Sequence, residues 1–190
     1  MSTGWYAQRP EDVPPGTRFL YSTGNSMLLS RIVLERRGDE QWTHFEWPRQ
    51  KLFKRLSMNS ALIESQANTI FLGGSVAYMT ARDWARLALL YLNDGVWVDG
   101  TRILPEGWVT YTKTPSATNP DYGAHWWLSE TASGVPYYGM SGMRQQSVSI
   151  FESKDLIVAR LAMPSLISFG GGFSLTNFLT PIADAFPDVQ

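Results

Sequence analysis

The apolar spacing changes partway along this chain, and that change constrains the fold more than any other feature. From Thr80 to Asn93, the residues Trp84, Leu87, Ala88 and Tyr91 recur at i, i+3, i+4 and i+7, the spacing of one buried helix face. From Gln146 to Phe151, Val148 and Ile150 alternate with Ser147 and Ser149, the spacing of a strand with one buried and one nearly polar face. A second strand, residues 156–162, follows after the short turn Glu152-Ser153-Lys154-Asp155, so the two form a hairpin. Helical spacing ahead of a run of antiparallel strands predicts a mixed α/β fold of the α+β type.

The helix over 80–93 has both ends marked. Thr80 with Asp83 three residues on forms an acidic variant of the capping box, and Gly95 stands where a C′ glycine belongs. Upstream, residues 1–17 are rich in proline and charge and read as an extended lead-in. A helix is expected over 25–37, with Met27, Leu28, Ile32 and Leu34 inward and Gly38 as its stop. A short helix should start at Pro48 and bury Leu52, Phe53 and Leu56. Residues 57–78 read as mostly irregular, with Gly73-Gly74-Ser75 marking a close backbone passage. Downstream, Val96-Trp97-Val98 and Thr101-Arg102-Ile103-Leu104 flank Asp99-Gly100, which predicts a hairpin on a type I′ turn. Pro105-Glu106-Gly107-Trp108 opens another short helix, and residues 112–122 form a surface loop. Residues 124–128 and 135–138 read as short strands. A last amphipathic segment, 173–186, follows Gly170-Gly171-Gly172 and should kink at Pro181.

Composition removes several function classes. Hydrophobic residues make up 44% of the 190 and charged residues 17%, the balance of a globular chain. The 17 acidic and 16 basic residues nearly cancel and form no like-charge run, which argues against nucleic acid or an anionic membrane surface as partner. With no cysteine, thiolate chemistry, disulfides and thiolate zinc sites are excluded, and the compartment is left open. Met1-Ser2-Thr3-Gly4-Trp5 shows neither the basic nor the apolar region of a signal peptide, and no run of 18 apolar residues could span a membrane.

The stretch most suggestive of chemistry is Pro15-Gly16-Thr17-Arg18-Phe19-Leu20-Tyr21-Ser22-Thr23-Gly24-Asn25. It sets a tyrosine ahead of a helix start, among small polar residues, where its hydroxyl is near unpaired backbone N–H groups. Such a phenol is a candidate proton carrier, although a half-buried aromatic under a turn is the commoner role of a tyrosine.

This stretch resembles the tyrosine motif of the class C β-lactamase-like serine hydrolases, which include β-lactamases, D-alanyl-D-alanine peptidases, esterases and 6-aminohexanoate-oligomer hydrolases. Further blocks are similar and come in the family's order: Leu52-Phe53 with Leu56-Ser57-Met58 and Ser60-Ala61; Thr80-Ala81-Arg82-Asp83-Trp84-Ala85-Arg86; Asp94-Gly95-Val96-Trp97; and Ile103-Leu104-Pro105-Glu106-Gly107-Trp108. The resemblance implies a β-lactamase/transpeptidase-like fold, an antiparallel sheet flanked by helices plus part of a helical subdomain. It also implies a single partial domain over 1–190, with a mainly helical part in 1–122 and strands with a C-terminal helix in 123–190.

The family uses S-x-x-K, Y-x-N and K-T-G or H-x-G motifs. Tyr21 matches the tyrosine of the second, with Thr23 at the asparagine position and Asn25 offering an amide further on. Met140-Ser141-Gly142 is the best match to the third. There Ser141 keeps a hydroxyl, Gly142 keeps bare backbone, and Met140 replaces the cation. The resemblance makes the Met143 backbone N–H an oxyanion donor. Arg144 reads either as a positive charge near it or as a solvated edge-strand arginine. Trp126 and Trp127 fall on opposite faces of a strand by alternation, so one of them is a candidate cleft wall, with core packing the default for whichever points inward. No serine in the chain has a lysine three residues later, so the nucleophile motif is expected on a missing N-terminal segment of the same domain. Thr110 and Lys113 have that spacing with threonine, and read as coincidence.

Rival constellations are weaker. Gly73-Gly74-Ser75-Val76-Ala77 approximates a nucleophile elbow but ends in alanine. With only His44 and His125 in the sequence, a serine triad would need His125, which falls in the aromatic strand 124–128 and reads rather as a structural or cleft-wall histidine. No metal motif, phosphate loop or dinucleotide fingerprint occurs. What the resemblance implies is hydrolysis of a small ester or amide through an acyl-serine, with neither a metal nor an organic cofactor implied. The alternative is a non-catalytic, truncated or degenerate member that binds a ligand or partner without turnover.

Overall fold

The computed structural model describes residues 6–37, 43, 46–66, 70–162 and 173–189. The chain divides into two compact units, Met1–Asp83 and Trp84–Gln190.

In the first unit, helix α1 spans Thr23–Arg36, starting two residues earlier than expected. The cause is Ser22, which holds an extended conformation (φ −147°) and accepts the Gly24 N–H at 3.1 Å through its hydroxyl. Met27 is buried as expected, whereas Ile32 is 51% exposed and Ser30 takes an inward position instead. Only a small residue fits at Ser30, because Gly73 runs against it: a Cβ on Gly73 would collide with the Ser30 hydroxyl, and one on Gly74 would lie 2.6 Å from Cγ2 of Thr23. The close passage read from Gly73-Gly74 is therefore real. The expected stop at Gly38 lies outside the described residues.

The next helix, α2, spans Glu46–Pro48 and passes directly into a π-helical turn, Arg49–Phe53. It starts ahead of Pro48 because Thr43 and Glu46 make a reciprocal capping box, with N–H bonds of 3.0 and 3.3 Å to each other's side chains. The Thr43 N–H, and after it the Thr43 hydroxyl, which also donates to this carboxylate at 2.9 Å, hold the Glu46 carboxyl below its usual range. Phe53 and Leu56 are buried, with Met58 beside them in sequence. Residues 57–78, expected to be irregular, contain four two-residue strands. Leu62–Ile63 (β1) pairs with Ala77–Tyr78 (β4), and Ser65–Gln66 (β2) with Ile70–Phe71 (β3), all antiparallel.

Helix α3, Ala81–Leu92, begins at the boundary of the units. Its capping box is rerouted. Thr80 accepts the Asp83 N–H at 3.3 Å, but the Asp83 carboxylate turns to Ser60, accepting its N–H at 2.8 Å and its hydroxyl proton at 2.5 Å. The Ser60 hydroxyl in turn accepts the Thr80 N–H at 3.0 Å, so the serine completes the box. Asp83 is 3% exposed, so this buried carboxylate is paid for by its hydrogen bonds.

In the second unit, Val96 and Arg102 form a single bridge, and the turn between them is not type I′. Gly100 has φ 84° while Asp99 stays at negative φ, and Gly100 N–H reaches the Trp97 carbonyl at 2.9 Å. This is the three-residue form, in which a β-turn is followed by a left-handed glycine. Helix α4 spans Trp108–Lys113, so Thr112 is helical and buried rather than part of the surface loop.

The sheet of this unit has four antiparallel strands in sequence order: β5 Trp127–Glu130, β6 Pro136–Gly142, β7 Gln146–Phe151 and β8 Leu156–Arg160. Residues 124–126 are not strand, because His125 adopts a left-handed φ of 66° and breaks the extended run. On one face, Val148 and Ile150 pack with Ala88, Val109, Trp126 and Tyr138. On the other, Phe151 packs with Leu179 and Ala183 of α5, Leu175–Asp184. The expectation of a nearly polar face on β7 is overturned: Ser147 and Ser149 are 4% and 1% exposed. β7 is a central strand, covered on both sides, where small hydroxyl residues leave room for the packing helix. Pro181 lies inside α5.

Candidate functional site

Tyr21 stands one residue ahead of the helix cap, 63% exposed. The shelf beneath it is ordered by Tyr6, which donates its phenol proton to Oδ1 of Asn25 at 3.0 Å and so must accept from the Ser22 hydroxyl, also at 3.0 Å. Asn25 donates its own amide to the Leu20 carbonyl at 3.3 Å. Both ends of this amide are committed to the fold, so Asn25 braces the segment that carries Tyr21. Thr23 is exposed, with its methyl against Gly74. Tyr6 could not have been found from the sequence, since it sits in the proline-rich lead-in with no motif around it.

The remaining expected site residues lie in the second unit. Ser141, Gly142 and Met143 end β6 and enter the turn to β7, all exposed, Met143 at 81%. Ser141 pairs with Ser147 and Gly142 with Gln146 across the hairpin. A Cβ at Gly142 would meet Cβ and the carbonyl oxygen of Gln146 at 3.7 and 3.9 Å, ordinary van der Waals contact. The fold itself does not demand a glycine there. Met140, read as standing where a cation would be, packs partly buried against the core around Val148. A cation at that position would be carried into apolar surroundings.

The turn is strained. Arg144 and Gln145 both have left-handed backbones, φ 61° and 62°, and neither is glycine. Each such residue costs about 1–2 kcal/mol relative to glycine-permitted geometry. Trp126, expected as a cleft wall, is a core residue: it is 5% exposed, its ring centroid 4.2 Å from that of Tyr91 and 5.4 Å from that of Tyr138.

The rival nucleophiles find no support. At Gly73-Gly74-Ser75 the strained residue is Val76, φ 56°, whereas an elbow strains the nucleophile itself. Lys113 is held by both oxygens of Glu152 at 2.6 and 2.7 Å, which ties α4 to the β7–β8 turn. Tyr138 donates to the same carboxylate at 3.3 Å, and its burial, followed by the charge of Glu152, raises its phenol pKa far above the usual tyrosine range. His125 lies outside the strands, exposed. Among the described residues, no three His, Asp or Glu side chains cluster as metal ligands, and no helix is long and apolar enough to cross a membrane.

Residues 2–163 match the family described as Beta-lactamase, and the chain belongs to that family. Two solved structures share the fold. One is a Bacillus anthracis protein assigned as a 6-aminohexanoate-dimer hydrolase, with TM-score 0.74 and 21% identity over 95% of this chain and 47% of that one. The other is a Bacteroides dorei protein assigned as a β-lactamase, with TM-score 0.71 and 14% identity over 97% of this chain and 64% of that one. The chain thus spans about half to two thirds of the length of these relatives. No curated protein matches it. The fold is that of the β-lactamase-like serine hydrolases, helices with antiparallel sheets.

Proposed function

We propose that this chain forms part of a serine hydrolase that cleaves small esters or amides through an acyl-serine, its nucleophile carried by a preceding segment with S-x-x-K. Tyr21 shuttles the proton between serine, lysine and leaving group, and the Met143 N–H holds the oxyanion. Thr23, Ser141, Gly142 and Arg144 contact the substrate. Trp126, buried in its core, is left out of that set. The observation that carries this reading is Tyr21 itself: an exposed phenol beside a capped helix start, in a motif of the family to which the chain belongs. The bare backbone at Gly142, which packing does not require, agrees with it.

Covalent catalysis needs a nucleophile beside its base. Tyr21→Phe, made in the enzyme with its nucleophile segment joined, should therefore lower kcat by roughly 10²–10⁴ with KM little changed, because ring packing survives. Steady-state hydrolysis of a nitrophenyl ester measures this, and turnover within a few-fold of the parent would make Tyr21 structural. A second reading, a member that binds a ligand or partner without turnover, is favoured by one fact: none of the serines in these 190 residues has the lysine partner.

A further inference from the structure

We propose that Arg160 is a positioning residue: it clamps the strained β6–β7 turn and thereby fixes the direction of the Met143 N–H. The proposal rests on the reading of that N–H as oxyanion donor. Arg160 closes β8, opposite Ser147 in the ladder, and its side chain runs to the turn. Its Nη1 donates to the Gln145 carbonyl at 2.6 Å, a short, charge-assisted bond to one of the two left-handed residues. The guanidinium carbon lies 4.1 Å from the ring centroid of Phe173 and 5.7 Å from that of Phe178, so the rings fix the plane from which the donor points. Gln145 is held on its other side as well, its amide donating to the Phe173 carbonyl at 3.4 Å. A third bond, from the Gln146 amide to the Met143 carbonyl at 3.2 Å, ties the start of the turn to its end.

Two consecutive non-glycine residues at positive φ persist only where their surroundings over-determine them. Here the surroundings are Arg160 and the aromatic pair it stacks upon. Without the clamp, the turn relaxes toward negative φ, and because the turn runs between the paired Gly142 and Gln146, the rotation is passed back through the Met143 backbone to the Gly142–Met143 peptide plane that carries the N–H. An oxyanion donor tolerates little of this, since its value depends on being aimed where the charge develops.

The test separates the clamp from the chemistry. Arg160→Met keeps the aliphatic stem and removes the guanidinium, and with it both the donor to Gln145 and the stacking on Phe173 and Phe178. In the 190-residue chain, amide hydrogen exchange at Met143, Arg144 and Gln145 should speed up while exchange in β7 stays slow. Unchanged exchange in the turn overturns the proposal. In the enzyme with its nucleophile segment joined, Arg160→Met should lower kcat by about 10²-fold with KM nearly unchanged, the size expected of a small misplacement. Adding Gln145→Gly should restore much of that loss, because glycine holds the left-handed geometry without help. A merely stabilising arginine would lower the melting temperature without lowering kcat of the folded enzyme, and would gain nothing from the glycine; that result also overturns the proposal. A turn that loosens while kcat of both Arg160→Met and Tyr21→Phe stays at the parent level would overturn the hydrolase reading as well.

Discussion

The two units hold themselves together in different ways. In the second, the sheet is covered on both faces, and Ile150, Phe151, Leu179 and Ala183 are fully buried. In the first, Met27, Phe53, Leu56, Met58 and Ile70 are buried, while Leu20, Leu29, Ile32, Leu62 and Tyr78 are each about half exposed. What orders the first unit is a set of specific polar bonds and close approaches: Ser22 with Tyr6 and Asn25, Ser60 with Asp83, and Gly73-Gly74 along α1. Area-driven packing tolerates surface change and punishes core truncation. A structure held by a few hydrogen bonds is vulnerable at each of them. The candidate tyrosine sits in the second kind of structure and the candidate oxyanion turn in the first.

This contrast can be broken or sharpened by substitution. The largest effect is expected from Phe151→Ala, which empties a site that packs on Leu179 and Ala183 and should cost about 3–5 kcal/mol. Urea unfolding followed by tryptophan fluorescence measures it, and a cost below that of a surface change would deny the second unit its closed core. Ser60→Ala comes next. It removes the hydroxyl that both donates to the Asp83 carboxylate and accepts the Thr80 N–H, and should cost about 1–3 kcal/mol. If Ser60→Ala unfolds with the parent's midpoint, polar bonds are not what holds the first unit. The smallest effect has the opposite sign. Val76→Gly relieves a β-branched residue at φ 56°, and after the entropy of glycine is subtracted it should stabilise by up to about 1 kcal/mol. A fall in melting temperature would show that the Val76 side chain contributes packing that outweighs its strain.

Much of this architecture was legible in the residues. Helical spacing located α3, alternation with a four-residue turn located β7 and β8, and Gly73-Gly74 announced a close passage that the fold contains. The order of the sequence blocks pointed to the family that residues 2–163 match. These features are local or cumulative: a period, a cap or a turn declares itself within a dozen residues.

What the residues could not declare depends on partners distant in sequence. Ser147 and Ser149 read as a polar face, and only the arrival of α5 makes them interior. Trp126 read as a strand residue that lines a cleft or packs inward, and the fold puts it in the core, beside a left-handed His125 that interrupts the strand. Thr80 and Asp83 spelled a capping box, but the fold inserted Ser60 between its halves. Met140 read only as standing where the family has a cation, and its partly buried packing against the core around Val148 gave no local sign. Arg160 gave no sign of its bond to Gln145, fifteen residues back. In each case local chemistry set what a residue can do, and long-range packing decided which of those capacities is used, because burial and hydrogen-bond partners are properties of the folded neighbourhood rather than of the residue.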